Sequence, residues 1–141
     1  MTADEIIAHL RLSPHPEGGH YRQTWVADNT GRSVGTSIYF LLKEGEVSHW
    51  HTVDAVEIWH FYAGTPLELS ISETEAGPAK TQLLGPDLAD GQFPQIIVPT
   101  GHWQSARTLG DWTLVGCTVS PGFQFDGFHL ADPGFDIPTG E

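Results

Sequence analysis

Apolar and polar positions along this chain repeat at two different periods. Near the start, Ile6, Ile7 and Leu10 fall at helical spacing behind Thr2 and Glu5, whose three-residue separation makes a capping box. The spacing predicts a short helix within residues 1–12, ending near Arg11. It cannot run further, because Ser13-Pro14-His15-Pro16-Glu17-Gly18-Gly19 follows with two prolines and two glycines. From His20 onward the period is two. Leu67, Leu69 and Ile71 alternate with Glu68 and Ser70, giving one dry and one wet face. Runs at 20–26, 34–42, 47–51, 57–62, 67–72, 81–84, 96–98, 104–107 and 113–119 carry β-branched or aromatic residues between turn clusters. About nine short strands predict an all-β sandwich or small barrel over residues 13–130. Residues 86–91 fit a single helical turn, and 131–141 lack periodicity and read as a loose tail.

Composition narrows the partners. With 141 residues the chain is read as one domain, and its 16 Gly and 10 Pro serve as turns. Only 6 Lys+Arg face 18 Asp+Glu, a formal net charge of −12, so nucleic acid and anionic membranes are poor partners. The acidic start lacks the apolar stretch of a signal peptide, and no run approaches the roughly 20 apolar residues of a spanning helix. Cys117 is the single cysteine, which rules out an intrachain disulfide; it sits in a strand pattern and reads as a buried structural thiol. A cytoplasmic protein is expected.

The chemistry concentrates at His49-Trp50-His51 and Glu57. Histidines two apart on a strand point the same way, and the five residues after His51 suffice for a turn into an antiparallel return strand. That would gather two imidazoles and a carboxylate, a ligand set used by non-haem metal sites. The plainer alternative is a pair of surface histidines on an edge strand. On the strand of Glu57, the residues Trp59 and Phe61 share its face, while Ile58, His60 and Tyr62 point away. His60 then suits packing against a second subunit better than the site. Tyr39 joins Trp59 and Phe61 as an aromatic placed to line a cavity and contact substrate.

Residues 45–64 resemble the first motif of the cupin superfamily, with the histidine pair, the glutamate and a closing glycine. Pro99-Thr100-Gly101 resembles the second, although Gln104 stands where a histidine normally follows; His102 lies two residues earlier. More narrowly, the chain resembles a small cupin subfamily described as predicted sugar epimerases. That likeness runs from Leu12 to Leu130 and rests on Pro14-His15-Pro16-Glu17-Gly18-Gly19-His20-Tyr21-Arg22, on residues 57–64, on Pro99-Thr100-Gly101-His102-Trp103-Gln104 and on residues 115–123. In that subfamily the position of His49 is often not histidine, and an acidic residue commonly precedes the glutamate where Val56 stands.

The resemblance implies a double-stranded β-helix, the cupin jelly roll, commonly dimeric, with the Pro14 to Tyr21 segment near the pocket mouth. Glu17 is then a candidate acid or base and Tyr21 a candidate substrate contact; alternatively, Pro16-Glu17-Gly18-Gly19 is only a turn. Arg107 is expected in a salt bridge.

The expected function is a metal-assisted isomerase or epimerase of a small, carbohydrate-like metabolite. His49, His51, Glu57 and Gln104 would hold a divalent Fe, Mn, Ni or Zn ion, and His51, Glu57 and Glu17 would be catalytic. A metal-free epimerase with His51 as base, an iron-dependent oxygenase and a non-catalytic binder of small ligands are the alternatives.

Overall fold

The capping box forms as the spacing requires. Thr2 Oγ1 accepts from the Glu5 amide at 3.2 Å, and Glu5 Oε1 accepts from the Thr2 amide at 2.9 Å. Helix α1 (Ala3–Leu10) follows, and Arg11 ends it in the left-handed conformation, φ 58°. Its buried residue Ile6 packs with Leu12 and Leu41, so the helix covers part of the outer side of a sheet. A computed structural model describes residues 1–140.

Those residues form eleven strands: β1 (Ser13–Pro14), β2 (His20–Val26), β3 (Thr36–Lys43), β4 (Val47–Val53), β5 (Val56–Gly64), β6 (Leu67–Ser72), β7 (Lys80–Leu84), β8 (Gln95–Val98), β9 (Trp103–Thr108), β10 (Trp112–Ser120) and β11 (Phe128–Leu130). One sheet has the order β1-β2-β3-β10-β5-β8, the other β11-β4-β9-β6-β7, all pairs antiparallel. This is the all-β jelly roll expected. The two additional strands, β1 and β11, are two and three residues long and had no alternation to betray them.

Inward positions from both sheets interdigitate as Phe40, Leu42, Trp59, Leu67, Leu69, Leu84 and Val115. Their packing fills one part of the sandwich and leaves the space beside β4 for polar groups. In β4 the pleat is interrupted: Ser48 lies opposite Ala106 and His51 opposite Gln104, so three steps on β4 match two on β9. The extra residue is a β-bulge, which brings Ser48 and His51 onto the same face.

The expected loose tail is corrected. Trp50 and Trp103 leave an apolar patch on the outer side of the five-stranded sheet, and Ile137 is buried against it. Trp50 Nε1 donates to Asp136 Oδ1 at 2.9 Å, and the Ala79 amide donates to the Pro138 carbonyl at 2.8 Å. Apolar burial and hydrogen bonding, not periodicity, order this segment. Glu141 lies outside the described residues.

Candidate functional site

A cavity of about 90 Å³ lies between the sheets. Its lining includes His15, Glu17, His51, Glu57 and Cys117; Tyr21, Ile38, Val53, Val119, Phe123 and Phe125 make most of the remainder, with Gln23 and Thr36. Four strands of one sheet and β4 of the other supply the walls. The 15–19 turn and the segment after β10 close it.

Glu17 arrives there because its turn is tied down at both sides. The His15 amide donates to the Gly19 carbonyl at 2.9 Å and the His49 amide donates to the Glu17 carbonyl at 2.8 Å. Gly18 adopts φ 112°, and a Cβ there would collide with the Val47 carbonyl oxygen. Glycine is therefore required twice over, by conformation and by space. With the turn docked, Ser48 Oγ donates to Glu17 Oε2. Glu17 Oε1 lies 3.7 Å from His51 Nε2 and 3.4 Å from His15 Nδ1.

Hydrogen bonds set the tautomers. His51 Nδ1 donates to the His49 carbonyl at 2.8 Å, so its Nε2 keeps a lone pair turned toward Glu17. His15 Nδ1 accepts from the Glu17 amide at 3.1 Å. Burial then shapes every charge. Desolvation lifts Glu17 to about 8, opposed by the Ser48 hydrogen bond. Desolvation likewise lifts Glu57 to about 7; the His51 charge pulls down and the Glu17 charge pushes up. His15 falls to about 4, through burial and then the nearby His51. His51 is also pushed down by burial, and the Cys117 thiol is pushed well up by burial and by Glu57.

The proposed ligand set does not converge. His51 and Glu57 both face the cavity. His49 does not: its Nε2 donates to the Asp132 carbonyl at 2.9 Å, because the bulge breaks the parity that would align it with His51. Gln104 is buried, but its amide is spoken for at both ends. Trp59 Nε1 donates to Gln104 Oε1 at 2.8 Å and Gln104 Nε2 donates to Glu57 Oε1 at 2.9 Å. A divalent ion needs several lone pairs aimed at one point. Here Gln104 turns N–H groups toward Glu57, and among the described residues no group of three His, Cys, Asp or Glu side chains is arranged to hold an ion. The donor set does not fit a divalent metal.

Of the expected substrate contacts, Tyr21 lines the cavity. Trp59 and Phe61 belong to the packed core instead. Tyr39 faces outward beneath α1, edge-on to Tyr62 at 6.3 Å between ring centroids, because inward positions on β3 are Thr36, Ile38 and Phe40. His60 also faces outward, within 3.0 Å of Thr118 Oγ1. His102 lines a separate groove with Lys80 and Pro99, and Arg107 Nε pairs with Glu68 Oε1 at 3.1 Å.

Sequence reasoning gave His15 no role beyond its place in the Pro14 to Tyr21 segment, and missed Ser48, Cys117, Phe123 and Phe125 as neighbours of the site. Alternation did hold one clue: Val115, Cys117 and Val119 share the inward face of β10. What alternation lacked was the partner, since Val119 sits opposite Glu57 only through the long-range β10–β5 pairing.

Comparison with known proteins agrees with this architecture. Residues 4–131 match the family model described as Cupin superfamily (DUF985). A protein of Shewanella oneidensis is 43% identical, with 94% of this chain and 85% of that one covered and a TM-score of 0.88. A hypothetical protein from Leishmania major is 28% identical over 96% of this chain and 90% of that one, TM-score 0.87. An oxalate decarboxylase variant of Bacillus subtilis is 15% identical, covering 84% of this chain and 29% of that one, TM-score 0.65; this likeness is one of fold. No curated protein matches the chain.

Proposed function

This chain belongs to the DUF985 family of the cupin superfamily, and we propose that it is an isomerase or epimerase of a small polar metabolite, moving protons between buried carboxyl groups without a bound metal. One observation carries this reading. Glu17 and Glu57 are both buried in one cavity beside His51, and burial has lifted both carboxyl groups toward neutrality, to about 8 and about 7. Groups poised near the working pH are the efficient proton carriers, and such pairs mark acid and base.

The division of labour follows from the neighbours: Gln104 Nε2 donates to Glu57 and favours its ionised form, whereas the His51 Nε2 lone pair faces Glu17 and favours its protonated form. Near neutral pH Glu57 is part ionised and takes a proton from the carbon beside a substrate carbonyl. Glu17 is still protonated and gives its proton to the carbonyl oxygen, so a neutral enol forms in place of an enolate. Return of the Glu57 proton to the other face, or to the neighbouring carbon, leaves an epimer or an isomer. For the epimer Glu17 takes its proton back from the enol hydroxyl; for the isomer the original carbonyl oxygen keeps that proton, and Glu17 is reprotonated by the neighbouring hydroxyl, which becomes the new carbonyl. The lone pair on His51 Nε2 accepts from a substrate hydroxyl and orients it. Ser48 holds the Glu17 carboxyl in place.

Deuterium incorporation from heavy water into neutral aldoses, ketoses and hydroxyketones, followed by NMR, tests this. Exchange should occur, and Glu17→Gln and Glu57→Gln should each slow it by about 10²–10⁴-fold. Tight binding with no exchange into any bound compound would make the protein a binder and remove the enzyme reading.

A further inference from the structure

We propose, building on that acid–base reading, that the cavity selects an uncharged substrate: a small carbonyl or hydroxy compound with an apolar body, with sugar phosphates, nucleotide sugars and carboxylates excluded. The argument starts from where the cations are. The chain has 6 Lys+Arg, and none lines the cavity. Arg32 is clamped on Asp54 by two bonds of 3.1 and 2.8 Å, Arg107 on Glu68, and Lys43 lies 3.5 Å from Asp4. Arg22 Nε donates to the Leu10 carbonyl at 2.7 Å, Lys80 lines the separate groove, and Arg11 caps α1.

The basic groups that do line the cavity are His15 and His51, and both are buried and held neutral. The Glu17 and His49 amides that edge the site are already engaged, donating to His15 Nδ1 and the Glu17 carbonyl. An anion entering would leave its water for two carboxyl groups and no counter-charge, in a protein of net charge −12 whose field already repels it. A neutral hydroxyl or carbonyl meets good partners: carboxylic O–H, carboxyl oxygens and the His51 lone pair.

Size and shape point the same way. A cavity of about 90 Å³ is well below the roughly 300–1,000 Å³ of sites for drug-sized ligands, so a nucleotide sugar has no room. Among the other lining residues, Ile38, Val53, Val119 and the rings of Phe123 and Phe125 offer no hydrogen bonds. They suit the unsubstituted end of a short molecule and leave a fully hydroxylated sugar ring poorly partnered.

Cys117, the one cysteine and a cavity-lining residue, provides the assay. Two methanethiosulfonates of matched size, one neutral (methylsulfonylethyl) and one anionic (sulfonatoethyl), are reacted with the folded protein at neutral pH. Rates are read by intact mass and divided by those of a free small thiol. The neutral reagent should label faster than the anionic one by on the order of 100-fold. Gln23→Arg, which puts a guanidinium at a solvent-exposed lining position, should raise the anionic rate while sparing the neutral rate. Equal neutral and anionic rates, or an anionic rate that Gln23→Arg leaves unmoved, would each overturn the proposal. Labelling involves no substrate proton transfer. Lost selectivity with deuterium exchange intact refutes this inference alone, and retained selectivity without exchange refutes the acid–base reading.

Discussion

The indole Nε1 of Trp59 donates to the amide oxygen of Gln104 at 2.8 Å, and that bond decides which end of the amide Glu57 sees. An indole nitrogen only donates, so the oxygen is committed and the NH₂ must face the carboxyl. Gln104 therefore occupies a motif position associated with metal ligation but works as the middle of a Trp59–Gln104–Glu57 relay.

Removing that relay should move the acidity of Glu57. The Gln104 hydrogen bond lowers the carboxyl, so Gln104→Leu should raise it further and shift the acid limb of the pH–rate profile upward. Leaving buried partners unpaired should cost about 1–3 kcal/mol in urea unfolding. An unmoved limb would remove Gln104 from the relay.

Glu17 should make the protein less stable as pH rises. Its folded value of about 8 stands above the ordinary glutamate value of 4.5, so the folded state holds its proton more tightly. The contribution is fully present below about 4.5 and is lost as pH rises through 8, with a limiting slope of about 1.4 kcal/mol per pH unit. His15 acts oppositely, losing stability as pH falls from 6.5 toward 4. Glu17→Gln should therefore gain on wild type progressively above pH 4.5 and gain nothing below it. Unfolding free energies measured across this range check the sign.

Activity should follow a narrow bell. The base must be ionised and the acid protonated, so the limbs should lie near 7 and near 8, as apparent values of the coupled pair. A profile flat from 5 to 9 would be incompatible with carboxyl groups in these roles.

Incubation with iron, manganese, nickel or zinc, followed by desalting and elemental analysis, should leave substoichiometric metal. Gln104→His should not restore uptake by itself, because His49 stays bonded to the Asp132 carbonyl on the other side. One full equivalent retained by the wild-type protein would defeat the metal-free mechanism.

Gly18→Ala should lower both stability and exchange activity. The added methyl meets the Val47 carbonyl oxygen at a φ of 112°, so the turn must shift, and Glu17 moves with it. The stability loss should exceed about 1 kcal/mol, since the native conformation itself disfavours alanine. An unaffected thermal midpoint would show that the turn is not held as described.

Much of the architecture was written in local pattern. The capping box of Thr2 and Glu5, the nine longer strands and the turn at 86–91 follow from periodicity and turn chemistry, which act over a few residues. Glu57 and His51 were legible as site residues, but the hairpin expected to join them does not form: β4 and β5 lie in different sheets, and the two side chains meet across the sandwich. The sheet partners were not legible. Pairing of β10 with β5 put Cys117 beside the carboxyl groups, and docking of the 15–19 turn on β4 delivered Glu17 and His15. One extra residue in β4 sent His49 away and turned Ser48 inward. Alternation tells which residues share a face only while the pleat is unbroken. Bulges, long-range register and burial are set by the whole chain closing on itself, and with them the protonation states on which the chemistry rests.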